Sequence, residues 1–344
     1  MKIKALQAIK HILEDNLEIL KSPYKENKIV LVYDKDSKLS SLISDAYIQN
    51  LKNYQNLDIE IIDFNKSDKN SLKEKLVNLS KNSTVILVQS TNFRLEDFRI
   101  RVTLHKAWVW CLEHNHLWYI LDDQIENYID AIEYKTPYFE ELSAKLKKIS
   151  DKADSLIIVS KDWNKLIFEG GFEDMKQNTG NYTWKNRWWS FPIWENFTEI
   201  KDFKKANWKV AIRAYPDTKM MMHFLDKPFI LEIKESLVVG WSKNTPKEFV
   251  EILEMIKENE DWEIYLRELG FWLNNWISWD KKLADVNAFE RIAWFHMSLW
   301  KKHGIYRKKF PRKITQRYHI DIFSDTDKIF FDDKLIFENE KFVI

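Results

Sequence analysis

Lys28-Ile29-Val30-Leu31-Val32-Tyr33 is an unbroken apolar run rich in β-branched residues, the pattern of a strand buried on both faces. Leu57 to Phe64, Thr84-Val85-Ile86-Leu87-Val88 and Ser155-Leu156-Ile157-Ile158-Val159 repeat it. Between these runs, Ser37 to Leu51, Lys69 to Leu79 and Tyr138 to Ile149 carry apolar residues at three- and four-residue spacing, as one face of a helix does. Strand and helix in alternation predict an α/β fold whose N-terminal domain is largely parallel. From about residue 176 the texture changes to short strands, Val210-Ala211-Ile212, Phe229 to Ile233, His319 to Phe323 and Lys328 to Phe331, with one helix at Pro246 to Lys257. The expected division is an α/β domain over 1–175 and an α+β catalytic domain holding a metal site over 176–344.

Composition narrows the function classes. The chain has 344 residues, 45% hydrophobic and 31% charged, with net charge +1, which excludes collagen-like, low-complexity and disordered classes. The charge balance supplies no global case for nucleic acid or a membrane surface. A lone cysteine, Cys111, excludes a disulfide framework and points to a reduced, cytoplasmic setting. Met1-Lys2-Ile3-Lys4 runs into a mixed amphipathic segment with no apolar core of a leader, and no stretch approaches the roughly 18 apolar residues of a membrane span.

Six glycines against sixteen tryptophans is the unusual feature. At the usual share of about 7%, a chain of this length would hold roughly 24 glycines. Many of the tryptophans stand where turn glycines are expected. Asn207-Trp208-Lys209 lies between two strand-like runs, where Asn-Gly would make a hairpin turn, and Arg187-Trp188-Trp189-Ser190, Gly240-Trp241-Ser242, Asn275-Trp276 and Ser278-Trp279-Asp280 resemble loops. Reading Trp as Gly turns each into ordinary turn chemistry. The pattern is that of a gene whose UGA codons mean glycine but are decoded as tryptophan. The competing reading is a Trp-rich protein that stacks on sugars or bases.

The C-terminal half carries the metal-ligand chemistry. His319 and Asp321 stand two apart in a strand-like run and so project from one face. With Glu195, Glu268 and His296 they make a set of two imidazoles and three carboxylates, donors that zinc, cobalt or manganese accept. Five such ligands suit a pair of divalent ions about 3.5–4 Å apart.

With tryptophan read as glycine, four segments fall into order: Phe-Pro-Ile-Gly-Glu-Asn-Phe-Thr ending at Thr198, Arg-Glu-Leu-Gly-Phe-Gly-Leu-Asn ending at Asn274, Gly-Phe-His-Met-Ser-Leu-Gly around His296, and His319-Ile320-Asp321-Ile322. Together they resemble the metal-binding segments of the thermophilic metallo-aminopeptidases of the aminopeptidase T and S type, over about residues 180–335. The resemblance implies that Glu195, Glu268, His296, His319 and Asp321 hold two divalent ions (zinc, cobalt or manganese). It also implies a cytoplasmic, homodimeric metalloprotease that removes N-terminal residues from peptides. Glu268 would double as proton acceptor, and Tyr306 or His303, near the place of a family tyrosine, would stabilise the oxyanion. The chain departs from the family's Asp-Glu-Lys, having Asp285-Val286-Asn287-Ala288-Phe289-Glu290-Arg291 instead. An inactive metal-binding homologue is the neighbouring reading.

Lys301 to Arg317 holds eight Lys or Arg, no acidic residue, and Tyr306 and Phe310. Such a segment suits a nucleic-acid backbone, a substrate carboxylate or a solvated loop; nucleic acid is not the expected partner. His114 and His116 form a second i, i+2 pair, read first as hydrogen-bonded residues, and His11, His105 and His223 carry no partner pattern.

Overall fold

The computed structural model describes residues 1–18, 28–96, 98–133, 136–180, 188–202, 204–259, 263–291, 294–300 and 319–344. They divide into two compact units, the first formed by Met1–Thr136, Asn178–Ile193 and Trp276–Ala288, the second by Pro137–Gln177, Trp194–Asn275 and Phe289–Ile344.

The first unit holds a five-stranded parallel sheet in the order Trp188–Phe191, Trp110–His114, Thr84–Val88, Lys28–Tyr33, Asp58–Asp63. Every residue of Thr84–Val88 is buried, as the central strand of a sheet covered on both faces should be. On one face Val30, Val32, Val85 and Leu87 pack with Leu72, Leu76 and Leu104 of the covering helices. On the other face the His114 ring is held between two phenols, with Nε2 2.8 Å from the Tyr47 hydroxyl and Nδ1 3.1 Å from that of Tyr128. A neutral imidazole satisfies this arrangement by donating once and accepting once.

The second unit is dominated by a thirteen-stranded sheet. Its main path runs Lys341–Phe342, Lys334–Glu338, Thr326–Phe331, Ser155–Ser160, Lys165–Glu169, Ala206–Pro216, His319–Ser324, Phe295–Trp300, Leu266–Trp272, Glu195–Glu199 and Lys176–Asn178. The registered pairings along it are antiparallel. Lys247–Asn259 forms a helix in this unit.

The α/β class expected from the pattern is therefore corrected: the protein is mostly β, and its larger sheet is antiparallel, not an α+β arrangement. The physical reason is visible at Ser155–Ser160, which the run of β-branched residues assigned to the parallel set. The turn Lys161-Asp162-Trp163-Asn164 closes at once, with the Ser160 amide donating to the Asn164 carbonyl at 2.9 Å, and Lys165–Glu169 returns beside the strand. A turn that short permits only antiparallel pairing, because a parallel return needs a crossover of a dozen or more residues.

The tryptophan contexts are also redistributed. Trp188 and Trp189 lie in the strand Trp188–Phe191, Trp241 ends the strand Leu237–Trp241, and Trp208 sits inside Ala206–Pro216 opposite Ile233, so these three sites are not loops or hairpin turns. Yet Trp108, Trp163, Trp194 and Trp208 have φ of 63°, 67°, 88° and 95°. A left-handed backbone costs a residue with a Cβ roughly 1–2 kcal/mol, and glycine almost nothing.

Two measurements check these points. Trp208, 66% exposed, has little packing to lose, so Trp208→Gly is expected to raise the unfolding free energy by about 1 kcal/mol; an equal loss in a urea melt removes the strain argument. Burial pushes the His114 pKa down from 6.5 to about 3. Because the folded value is the depressed one, the stability His114 confers by staying neutral is complete above 6.5 and is lost as pH falls toward 3. The loss across that window is on the order of 4–5 kcal/mol, and His114→Gln is expected to flatten the acid limb of a plot of melt midpoint against pH.

Candidate metal centre

Four neighbouring strands of the second unit, Glu195–Glu199, Leu266–Trp272, Phe295–Trp300 and His319–Ser324, carry all five sequence-predicted ligands. The register sets Glu195 opposite Trp272, His296 opposite Gly270, and Asp321 opposite Ser298. Glu195, Glu268 and His296 each bring a donor atom within 4.8 Å of the others. Among the described residues this is the group of His, Cys, Asp and Glu able to hold a metal ion. Nε2 of His296 is 4.0 Å from Glu268 Oε1 and 3.7 Å from Asp321 Oδ1, and Nε2 of His319 is 3.1 Å from the same Asp321 oxygen. The two-residue spacing of His319 and Asp321 thus does put both side chains on one face, as a strand requires.

Gly270 makes this possible. A Cβ on residue 270 would fall within the His296 ring itself, against Cε1, Nε2 and Nδ1. The imidazole lies flat across the neighbouring strand only because that strand carries a hydrogen there.

Two further residues belong to the centre although the pattern did not single them out for a role. The Glu290 carboxyl is hydrogen-bonded to Asp321. The Arg291 guanidinium lies 2.5 Å from Glu290 Oε1 and 3.7 Å from Glu195 Oε2. An adjacent acid and base on a short connection before the His296 strand is the only sequence signal they leave. Trp272, the residue read as glycine in the Glu268 segment, also reaches the centre, donating its indole N–H to Nδ1 of His296 at 2.5 Å.

Among the described residues the electrostatics are those of an acid cluster short of cations. Four carboxylates, Glu195, Glu268, Glu290 and Asp321, face one guanidinium and the His319 imidazole. Burial, against the pull of Arg291, pushes the Glu195 and Glu290 carboxyls well above their ordinary range. Burial likewise raises Glu268 to about 7 although His319 opposes it, and lowers His296 to about 4. For His319, burial works against the charge but Asp321 outweighs it and raises the imidazole to about 10; His319 in turn overcomes burial and holds Asp321 below the usual carboxylate range. Oε2 of Glu268 is buried and accepts no hydrogen bond from the described residues. A divalent cation answers both facts, balancing the surplus negative charge and occupying the open lone pair.

His303 and Tyr306, expected at the oxyanion, and the basic segment 301–317 lie outside the described residues. The second histidine pair is in the first unit. His114 is the core residue described above, and His116, at φ 60°, places Nδ1 3.2 Å from Asp285 and meets Asn92 through Nε2. Neither joins the metal-capable group. No helix among the described residues is long and apolar enough to cross a membrane.

No protein-family model matches the chain, and no curated protein matches it. A solved structure does: that of 2,5-dihydroxypyridine dioxygenase from Pseudomonas putida KT2440, at a TM-score of 0.66 and 13% identity, over 100% of this chain and 98% of that one. The likeness is one of fold. It corrects the aminopeptidase reading, because the full-length match is to an oxidoreductase and not to a peptide hydrolase. The hydrolase and protease assignments go with it. The expected metal site is present as one group of three donors among the described residues, Glu195, Glu268 and His296, which does not by itself call for two ions.

Gly270→Ala is expected to displace His296 and abolish metal retention, measured as metal per chain after desalting; retention at the parent level would remove Gly270 from the account. Ligation also needs the Glu268 carboxylate free of its proton, which with a pKa of about 7 holds only above neutrality. Divalent-metal affinity should therefore climb as pH rises through about 7, with proton release on binding, and go on climbing toward about 10, because the His319 imidazole keeps its proton to that pH and the Glu195 carboxyl is also raised. A calorimetric titration that finds no pH dependence would contradict the assignment.

Proposed function

We propose that the protein is a metal-dependent oxygenase with a single divalent ion of the iron type in its second unit. The observation that carries this reading is the buried donor cluster around His296, with its surplus of carboxylates and the open Glu268 oxygen. The cluster contains, in His296, His319 and Asp321, two imidazoles and one carboxylate, the donor set of non-haem ferrous oxygenases. The fold likeness to a dioxygenase supports the same class.

Ferrous iron, when bound, supplies the one-electron chemistry with dioxygen that no side chain provides. The chain supplies the rest. His296, Glu268 and Glu195 are the residues that would hold the ion, with Asp321 and His319 beside them to complete the set. Glu268, poised at about 7, can take or return a proton near neutral pH. Glu290 shares a proton with Asp321 and fixes that carboxylate. Arg291 anchors Glu290 and Glu195; His296, Glu268 and Asp321 are buried, while His319 stands at the exposed side of the set.

Anaerobic loading with Fe(II) should give about one iron per chain. Oxygen uptake should follow on adding a dihydroxylated aromatic such as 2,5-dihydroxypyridine, and a chelator should stop it. His319→Ala and Asp321→Ala are each expected to weaken iron binding at least tenfold, about 1.4 kcal/mol or more. Stoichiometric iron with no oxygen uptake across a series of dihydroxylated rings would overturn the oxygenase reading.

A further inference from the structure

The indole of Trp272 fills a slot that the chemistry of the centre gives the chain no reason to fill. The Arg291 guanidinium lies 3.8 Å over the indole face, and the His296 ring meets its N–H edge at 28° to the indole plane. Trp272 is 1% exposed. The space it takes is therefore flat, dry, capped on one face by a cation and bounded at the edge by a candidate metal ligand.

The hydrogen bond matters as much as the shape. An indole N–H only donates, and it lies 2.5 Å from Nδ1 of His296 against 3.4 Å from Nε2; donation to the nearer nitrogen leaves the ring proton on Nε2. Nε2 is the nitrogen facing Asp321 and Glu268. A metal among those donors needs the Nε2 lone pair, which requires the proton on Nδ1 instead. Trp272 thus favours in His296 the tautomer that opposes ligation, which metal binding has to reverse.

The same chain places Trp194, next to Glu195, and Trp208 at φ of 88° and 95°, where glycine is the residue at ease, and it holds six glycines against sixteen tryptophans. We propose that residue 272 is glycine in the working centre, and that the slot occupied here by its indole receives the planar aromatic ring of the substrate beneath Arg291. The substrate class rests on the oxygenase reading; the slot itself is tested without it. A guanidinium over a ring face favours electron-rich or anionic aromatics.

Calorimetric titration of metal-free Trp272→Gly and Trp272→Ala proteins with indole reads the slot with neither metal nor turnover, since an apolar void of side-chain size takes up a matching ring. Saturable binding at least about tenfold tighter than to the unsubstituted chain is expected, with loss of binding when Arg291→Ala is added to Trp272→Gly. No saturable binding by either variant, each confirmed as folded by circular dichroism, overturns the slot. Cobalt affinity should rise about tenfold in Trp272→Gly as the tautomer is released; unchanged affinity overturns that part. In protein isolated from its own cells, the tryptic peptide from Glu268 to Lys281 should carry glycine at 272, and tryptophan there overturns the proposal. Indole binding without oxygen uptake in the iron-loaded protein keeps the slot and removes the oxygenase.

Discussion

The His296 imidazole lies against the backbone of Gly270, in the space any larger residue would need. The rest of the centre follows from that close approach. The antiparallel register pairs residue 270 with 296, so the ring is pressed across the Leu266–Trp272 strand toward Glu268, while Asp321 reaches the same nitrogen from the other neighbouring strand. A one-residue slip in either pairing would turn these donors to the opposite face of the sheet.

Holding four carboxylates in one buried patch is costly, and the protein meets the cost in two ways. Arg291 and the protonated His319 offset part of the charge, and the raised Glu195, Glu268 and Glu290 carboxyls retain protons that would ionise in water. Each proton so held is one that a divalent ion can displace. The acid patch is therefore better understood as a metal site in its protonated form than as a stabilising network, for which apolar packing would serve better.

Local pattern carried some of this and could not carry the rest. Lys28–Tyr33 and Thr84–Val88 read as buried strands because full burial leaves a continuous apolar run. Ser155–Ser160 shows the same run yet pairs antiparallel, since what decides its partner is the turn at 161–164 and not its own residues. The pairing of His319 with Asp321 was legible from a two-residue period. Glu290 and Arg291 were not, because they reach the centre from a connection whose path no periodicity encodes. The segments that resembled aminopeptidases are those that bear metal donors, and donor residues are common to many reaction classes. They locate a centre without naming its chemistry.

The strand order also has a consequence for how the centre comes into being. Glu195 and Asp321 are brought together across four strands, and between the first donor strand and the second in sequence lie Ala206–Pro216, which pairs with the His319 strand, and the helix Lys247–Asn259. Contacts of such long sequence separation close late, after the intervening chain has lost most of its freedom. During synthesis no fragment ending before His319 holds the two-imidazole set, so an ion finds its full complement of ligands only after that strand has been made. Selection of the metal then falls to the folded sheet, whose spacing is already fixed, and not to a flexible segment that would wrap around whichever ion arrived first.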